Sequence, residues 1–217
     1  VPGFVTENRS NDVASAATPL PLVEDPPGFR TAGARGDLSS AGDVDYWSFT
    51  GSTGDLFNLA TFVPGSPGAS QLRYRVFNPD GSLLLDYFPA YTGEGQSDRL
   101  VLPTNGVYQV LVSPSYNYFG EYRFRVTLAT APLQMEREAN DSILTANPLV
   151  MTSSGNGVSA SVAGDVRSTA DLDYFNIGTV TNGYSVLLTV RLPGGSTLAP
   201  VVSVYRANGF YQSEATG

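Results

Sequence analysis

The sequence predicts an all-β protein: two tandem jelly-roll-like β-sandwich domains, the second truncated. Three observations carry this. Short apolar runs of strand length recur between turn residues at spacings of about 8 to 12, without long helical periodicity. The 217 residues include 23 Gly and 15 Pro with 11% aromatics, a composition of many turns between short strands. Finally, the chain repeats itself. Gly42-Asp43-Val44-Asp45-Tyr46-Trp47-Ser48-Phe49 is echoed by Ala170-Asp171-Leu172-Asp173-Tyr174-Phe175-Asn176-Ile177 at an offset of 128 residues.

The repeat sets the domain plan. Between residues 36–49 and 164–177, six of 14 positions are identical and four more exchange one apolar residue for another. Upstream, Asn11-Asp12 and Ala17-Thr18-Pro19-Leu20 match Asn140-Asp141 and Ala146-Asn147-Pro148-Leu149 at an offset of 129. Downstream, Val76 to Gly81 matches Val204 to Gly209 at 128 again. The assignment is a first sandwich over residues 1–128, a linker over 129–135 and a second sandwich over 136–217. Each copy is built on a plan of roughly 125 residues, an ordinary domain size. Gly217 aligns near Pro89, so the second copy stops before its last strands. With no initiator Met, the chain reads as a fragment of a longer, processed protein.

Residues 1–12 are polar and extended, and Val13 to Leu22 allow one helical turn before Pro19. Residues 24–36 are rich in Pro, Gly and Asp and read as a loop, followed by an acidic loop from Asp37 to Asp45 and a strand to Phe49. Leu56 to Val63, closed by Pro64-Gly65, reads as a buried strand. Leu72 to Phe77 alternates, Asn78-Pro79-Asp80-Gly81 turns, and Leu83 to Tyr87 returns. Leu100 to Leu102 is short. Tyr108, Val110 and Val112 alternate, and Tyr122 to Leu128 closes the domain. The second copy begins at Glu136 and repeats the plan.

A net charge of −8 and a pI near 4.4 argue against nucleic acid, whose phosphates need a basic face. No apolar run approaches the length of a membrane span. Cys and His are absent, and all 12 basic residues are Arg. This removes His- and Lys-activated nucleophiles, thiol chemistry and His metal sites. A carboxylate-pair glycosidase would need two acids outside the acidic loops, and no such pair stands at matched positions. The chain reads as a non-enzyme.

The acids themselves form the candidate site. Glu136, Glu138 and Asn140 alternate, so in an extended segment they share a face, with Asp141 beside them. Asp165, Asp171 and Asp173 lie in the next acidic loop. Carboxylates converging at the rim of a core repel one another, and a hard cation removes the repulsion. An all-oxygen set without His or Cys suits calcium and disfavours zinc or copper. The first copy offers Glu7, Asn11, Asp12, Asp37, Asp43 and Asp45, but Arg9 stands where Glu138 stands. A guanidinium there replaces a ligand and neutralises the site internally, so calcium is expected in the second copy before the first. The plainer alternative is ordinary loop acids bonding to nearby backbone.

Three other signals are weaker. Arg35-Gly36-Asp37 is an integrin-type tripeptide, better explained as part of the repeated loop. Asn8-Arg9-Ser10 and Asn140-Asp141-Ser142 match the glycosylation pattern but fall in the ligand segments. Tyr116, Tyr118, Phe119 and Tyr122, with Tyr87, Phe88 and Tyr91, form either a polymer-binding patch, with Tyr116, Tyr118 and Tyr122 as candidate ligand residues, or sandwich core and strand-edge tyrosines.

Glu136-x-Glu138-x-Asn140-Asp141-Ser142, Ala146-x-Pro148-Leu149, Gly164-Asp165 and Asp171-x-Asp173-Tyr174-Phe175 together resemble the bacterial pre-peptidase C-terminal domain. Gly106-Val107-Tyr108-x-Val110-x-Val112 and Gly120-x-Tyr122-x-Phe124-x-Val126 are similar to that family's last two strands. The resemblance implies a jelly-roll sandwich appended to a secreted or cell-surface bacterial protein, such as a protease, for targeting, substrate attachment or solubility. By resemblance to the collagen-binding modules of clostridial collagenases, Glu136, Glu138, Asn140, Asp141, Asp165, Asp171 and Asp173 would hold calcium. Collagen itself does not carry over, having no short motif here. The partner would be an extracellular protein or polysaccharide and the rest of the parent polypeptide. The alternative is a structural spacer or adhesion domain without metal.

Overall fold

The computed structural model describes residues 3–155, 157–166, 170–194 and 196–216. The chain divides into two compact units, Pro2–Ala131 and Pro132–Gly217. The described residues are strands, turns and irregular segments, with a single short 3₁₀ turn, Ala14–Ala16.

The first unit holds twelve strands: β1 (Val5–Thr6), β2 (Thr18–Pro19), β3 (Val23–Glu24), β4 (Phe29–Leu38), β5 (Asp45–Gly51), β6 (Leu56–Phe62), β7 (Leu72–Phe77), β8 (Leu83–Tyr87), β9 (Gly95–Gln96), β10 (Leu100–Val101), β11 (Gly106–Pro114) and β12 (Gly120–Ala129). They form two sheets. One runs β1-β4-β12-β6-β10, with β3 on β4 and β9 on β6; the other runs β2-β5-β11-β7-β8. The faces between them enclose Trp47, Phe49, Phe57, Tyr74, Tyr108, Tyr122 and Phe124. Alternation does the sorting: in β7, Leu72, Tyr74 and Val76 point inward while Arg73 and Arg75 do not. The unit is a β-sandwich.

Within residues 24–36 only 25–28 form a turn. Phe29–Leu38 is one of the two longest strands and lies between β1 and β12. Its glycines, which read as loop residues, give other side chains room. A Cβ at Gly33 would meet the Phe4 ring at 2.9 Å, and one at Gly36 would meet Glu7 Oε2 at 2.7 Å and Tyr122 closer still. Asp37 accordingly belongs to a strand rather than to the acidic loop.

The second unit contains β13 (Leu133–Met135), β14 (Asn147–Pro148), β15 (Thr152–Ser154), β16 (Gly157–Ser159), β17 (Ser161–Ala163), β18 (Phe175–Asn176), β19 (Val201–Tyr205) and β20 (Tyr211–Thr216), paired in twos. The pairings repeat those of the first unit. Thr6 faces Arg35 across β1 and β4, and Met135 faces Ala163 across β13 and β17, both parallel. Thr18 faces Trp47 as Asn147 faces Phe175. Even the irregularity between Val76 and Phe77 recurs between Val204 and Tyr205.

One strand does not recur. Residues 184–190 match β6, yet form no strand. In the first unit β6 pairs with β12, β10 and β9, whereas residues 184–190 pair with no strand among the described residues. Leu59 is 0% exposed in β6; its counterpart Leu187 is 89% exposed.

Candidate metal centre

In the second unit, backbone pairing brings two segments together. Glu136 N donates to Ala163 O (2.9 Å) and Tyr174 N to Asn140 O (2.9 Å). The Asn147 amide brackets the peptide of Arg137, accepting from its N–H (2.5 Å) and donating to its carbonyl (2.8 Å). These bonds hold residues 136–141 against Ala163 and Tyr174.

The carboxylates then converge. Glu136, Glu138 and Asp173 can place ligand oxygens within 4.8 Å of one another, and so can Glu138, Asp141 and Asp171. Glu138 belongs to both groups. Asn140 is 0% exposed and Glu136 2%. Both amide atoms of Asn140, Glu136 Oε2 and Asp173 Oδ1 are buried without a hydrogen-bond partner among the described residues. Such atoms cost free energy unless something satisfies them. Burial, then the charge of Asp173, pushes the Glu136 carboxyl up to about 8. Burial, then the charge of Asp171, pushes Asp173 up to about 6. Asp165 contributes its backbone N–H, which donates to Glu136 Oε1 (2.6 Å); its carboxylate joins neither group. Gly164 makes the approach possible, since a Cβ there would meet Glu136 Oε2 at 2.5 Å.

The first unit repeats the backbone frame. Glu7 N donates to Arg35 O (3.0 Å) and Tyr46 N to Asn11 O (2.8 Å). Asp37 N donates to Glu7 Oε2 (3.1 Å), and Asn8 N to Thr18 Oγ1 (2.9 Å). Asp12, Asp43 and Asp45 come within 4.8 Å of one another, while Glu7 and Asp37 stay outside that group. The polar groups, however, find protein partners. Asp45 Oδ2 accepts from Tyr122 OH (2.6 Å), whose oxygen accepts from Trp47 Nε1 (2.9 Å). Asn11, oriented by its surroundings, donates to Asp45 Oδ1 (3.1 Å) and Asn8 O (2.5 Å). Asp43 Oδ2 accepts from the N–H and hydroxyl of Ser39 (2.6 and 2.7 Å). Burial still pushes Asp45 up to about 7, against the Tyr122 hydrogen bond.

Arg9 makes no ion pair with these acids among the described residues. It is exposed and lines a shallow recess with Thr6, Glu7, Arg35, Asp37 and Glu121. The Arg35-Gly36-Asp37 tripeptide lies inside β4, with all three residues paired to β12 and Arg35 also to β1, and presents no loop. Asn140, wholly buried, is closed to a glycosylating enzyme.

The candidate tyrosines separate. Tyr122 is core at 0% exposure. Tyr118 is half-buried and donates to Glu121 O (2.8 Å). Tyr116 is exposed and contacts Tyr91, with ring centroids 5.7 Å apart. Tyr122 therefore leaves the ligand set, because alternation turns it inward with Phe124 and Val126. Sequence reading missed the closing role of Tyr122 and the clamp of Asn147. The first rests on a contact 77 residues apart, which no local pattern signals. The second had a signal, the matched pair Thr18 and Asn147.

No protein-family model matches the chain, and no curated protein sequence matches it. Among solved structures, it is similar to the pre-peptidase C-terminal domain of a Bacillus anthracis collagenase: 14% identity, 51% of this chain, 93% of that one, TM-score 0.38. It is also similar to PliG of Aeromonas hydrophila, a periplasmic inhibitor of g-type lysozyme: 17% identity, 52% of this chain, 96% of that one, TM-score 0.36.

Proposed function

We propose that the chain is a non-catalytic accessory module of a secreted bacterial protein, stabilised by calcium in its second unit. The carrying observation is the contrast between two copies of one frame. In the first, Asn11 and Asp45 are satisfied by each other and by Tyr122. In the second, the Asn140 amide, Glu136 Oε2 and Asp173 Oδ1 are buried without a hydrogen-bond partner among the described residues, and Glu138, Asp141 and Asp171 converge on them.

Calcium fits these residues. It accepts six to eight oxygens at flexible geometry, including amide carbonyls. Glu136, Glu138, Asp171 and Asp173 would supply carboxylates, with Asp141 at the outer edge and Asn140 Oδ1 as the neutral ligand. Bound, the ion would replace carboxylate repulsion with attraction and fasten residues 136–141 to 171–173. At the weak affinities of extracellular sites and about 1 mM calcium, the stabilisation is roughly 0.4 to 1.4 kcal/mol. The motif resemblance supports an attachment role in the parent protein. The satisfied acids of the first unit favour a metal-free structural role for that copy.

Calcium titration of the chelator-treated chain by calorimetry tests this. Binding that disappears in Asp171→Asn and is weaker for magnesium supports the module. Heats at the level of buffer dilution, or binding indifferent to Asp171→Asn, would leave these residues as ordinary loop acids.

A further inference from the structure

Two neighbouring segments of the first unit carry exposed aromatic rings that neither the core nor the acidic site uses. Residues 88–94 bear Phe88 and Tyr91, and residues 115–119 bear Tyr116 and Phe119. Their exposures are 46, 57, 52 and 42%. Tyr91 and Tyr116 meet edge to face, inclined at 65°. Exposed aromatic surface of this kind marks binding sites more often than scattered single apolar residues do.

The backbone beneath both rings is held. Tyr91 O accepts from Ser70 N (3.0 Å), and Gly93 N closes a turn onto Ala90 O (2.8 Å). Gln71 Nε2 donates to Pro89 O (2.6 Å). Gly93 has φ of +79°, and a side chain there would clash with Val63. On the other segment, Tyr118 packs against the core and bonds to Glu121 O. A ligand would thus meet rings already in place, with little ordering cost.

The rim chooses the ligand. Glu94 is the single charged residue of the two segments, Arg73 over the Phe88 ring (5.3 Å) is paired with Asp86, and Thr92, Ser115 and Asn117 are neutral. A chain of net charge −8 repels anionic polymers. Sugar rings present C–H faces that pack on aromatic rings, and hydroxyls that need neutral donors and acceptors. We propose that Tyr91 and Tyr116 form the stacking site for a neutral polysaccharide. The site is independent of the metal centre.

The test is affinity electrophoresis of the whole chain through gels containing galactomannan, arabinoxylan, mixed-linkage β-glucan or hydroxyethyl cellulose. Polygalacturonate gels and a (Pro-Pro-Gly)10 competitor run alongside. The expected result is retardation by at least one neutral polymer, weakened at least tenfold in Tyr91→Ala/Tyr116→Ala and retained in Glu136→Gln. Trp47 emission checks that the double variant folds; if it does not, Tyr116→Ala alone gives the same readout. Retardation by none of the four, retardation unchanged in the variants, or binding confined to polygalacturonate or the peptide would overturn the proposal.

Discussion

One hydroxyl separates the acidic cluster of the first unit from that of the second. In the first unit, the Tyr122 hydroxyl links Trp47 Nε1 to Asp45. Tyr122→Phe leaves a buried indole N–H and a buried carboxylate short of a partner, at a cost of about 1 to 3 kcal/mol. The loss should be larger at pH 8 than at pH 5, because the phenol donates to the ionised form of Asp45; denaturant melts at the two pH values check this. In the second unit the acids themselves are the liability. Glu136→Gln replaces a buried carboxyl that must take up a proton at neutral pH to sit beside Asp173, so without calcium the variant should melt higher than the parent, by on the order of 1 kcal/mol, and lose its calcium response. A variant that melts lower and keeps that response would show that Glu136 is not under charge strain. The candidate acids were legible in the sequence because their spacing repeats. The satisfaction of one set and not the other was not, since Tyr122 lies 77 residues from Asp45 in the chain.

At the scale of strands, the glycine positions mattered most. Residues 24–36 look like a loop because Pro, Gly and Asp crowd them, yet Gly33 and Gly36 serve a strand whose cross-sheet neighbours need the space. Gly36→Ala should destabilise the first unit by about 1 to 3 kcal/mol, since Tyr122 and Glu7 must both move. Gly164→Ala should instead disturb Glu136 and weaken calcium binding, with little effect on the first unit. Thermal melts with and without calcium distinguish the two. The strands with clean alternation, β7, β11 and β12, were legible within a residue or two, because period-2 burial is a local property. Residues 184–190 show the limit. Their pattern is that of β6, but a strand is stable only against a partner, and that partner is not local. Hydrogen exchange should find amides 184–190 unprotected and those of β6 protected.

For the molecule as a whole, we read the repeated sequence as a duplication. The offset in residues has a counterpart in register, down to the irregularity at Val76/Phe77 and at Val204/Tyr205. Two copies of one frame can diverge in what they ask of solvent ions. Raised carboxyl values mean that, without metal, native acids of the second unit hold protons that the unfolded chain has already released. Its stability should therefore fall as pH rises from about 4 to about 8. Calcium, binding the ionised form, should stabilise more at pH 8 than at pH 5.

The most direct test of the central claim uses the single Trp, which lies in the first unit. Thermal unfolding with chelator and with excess calcium would be followed at once by Trp47 emission and by far-ultraviolet circular dichroism. The prediction is a calcium-dependent rise of the dichroism transition by a few degrees, absent in Glu136→Gln, with the Trp47 transition unmoved. No shift by either probe, or a shift confined to Trp47 that survives Glu136→Gln, would contradict a calcium centre in the second unit.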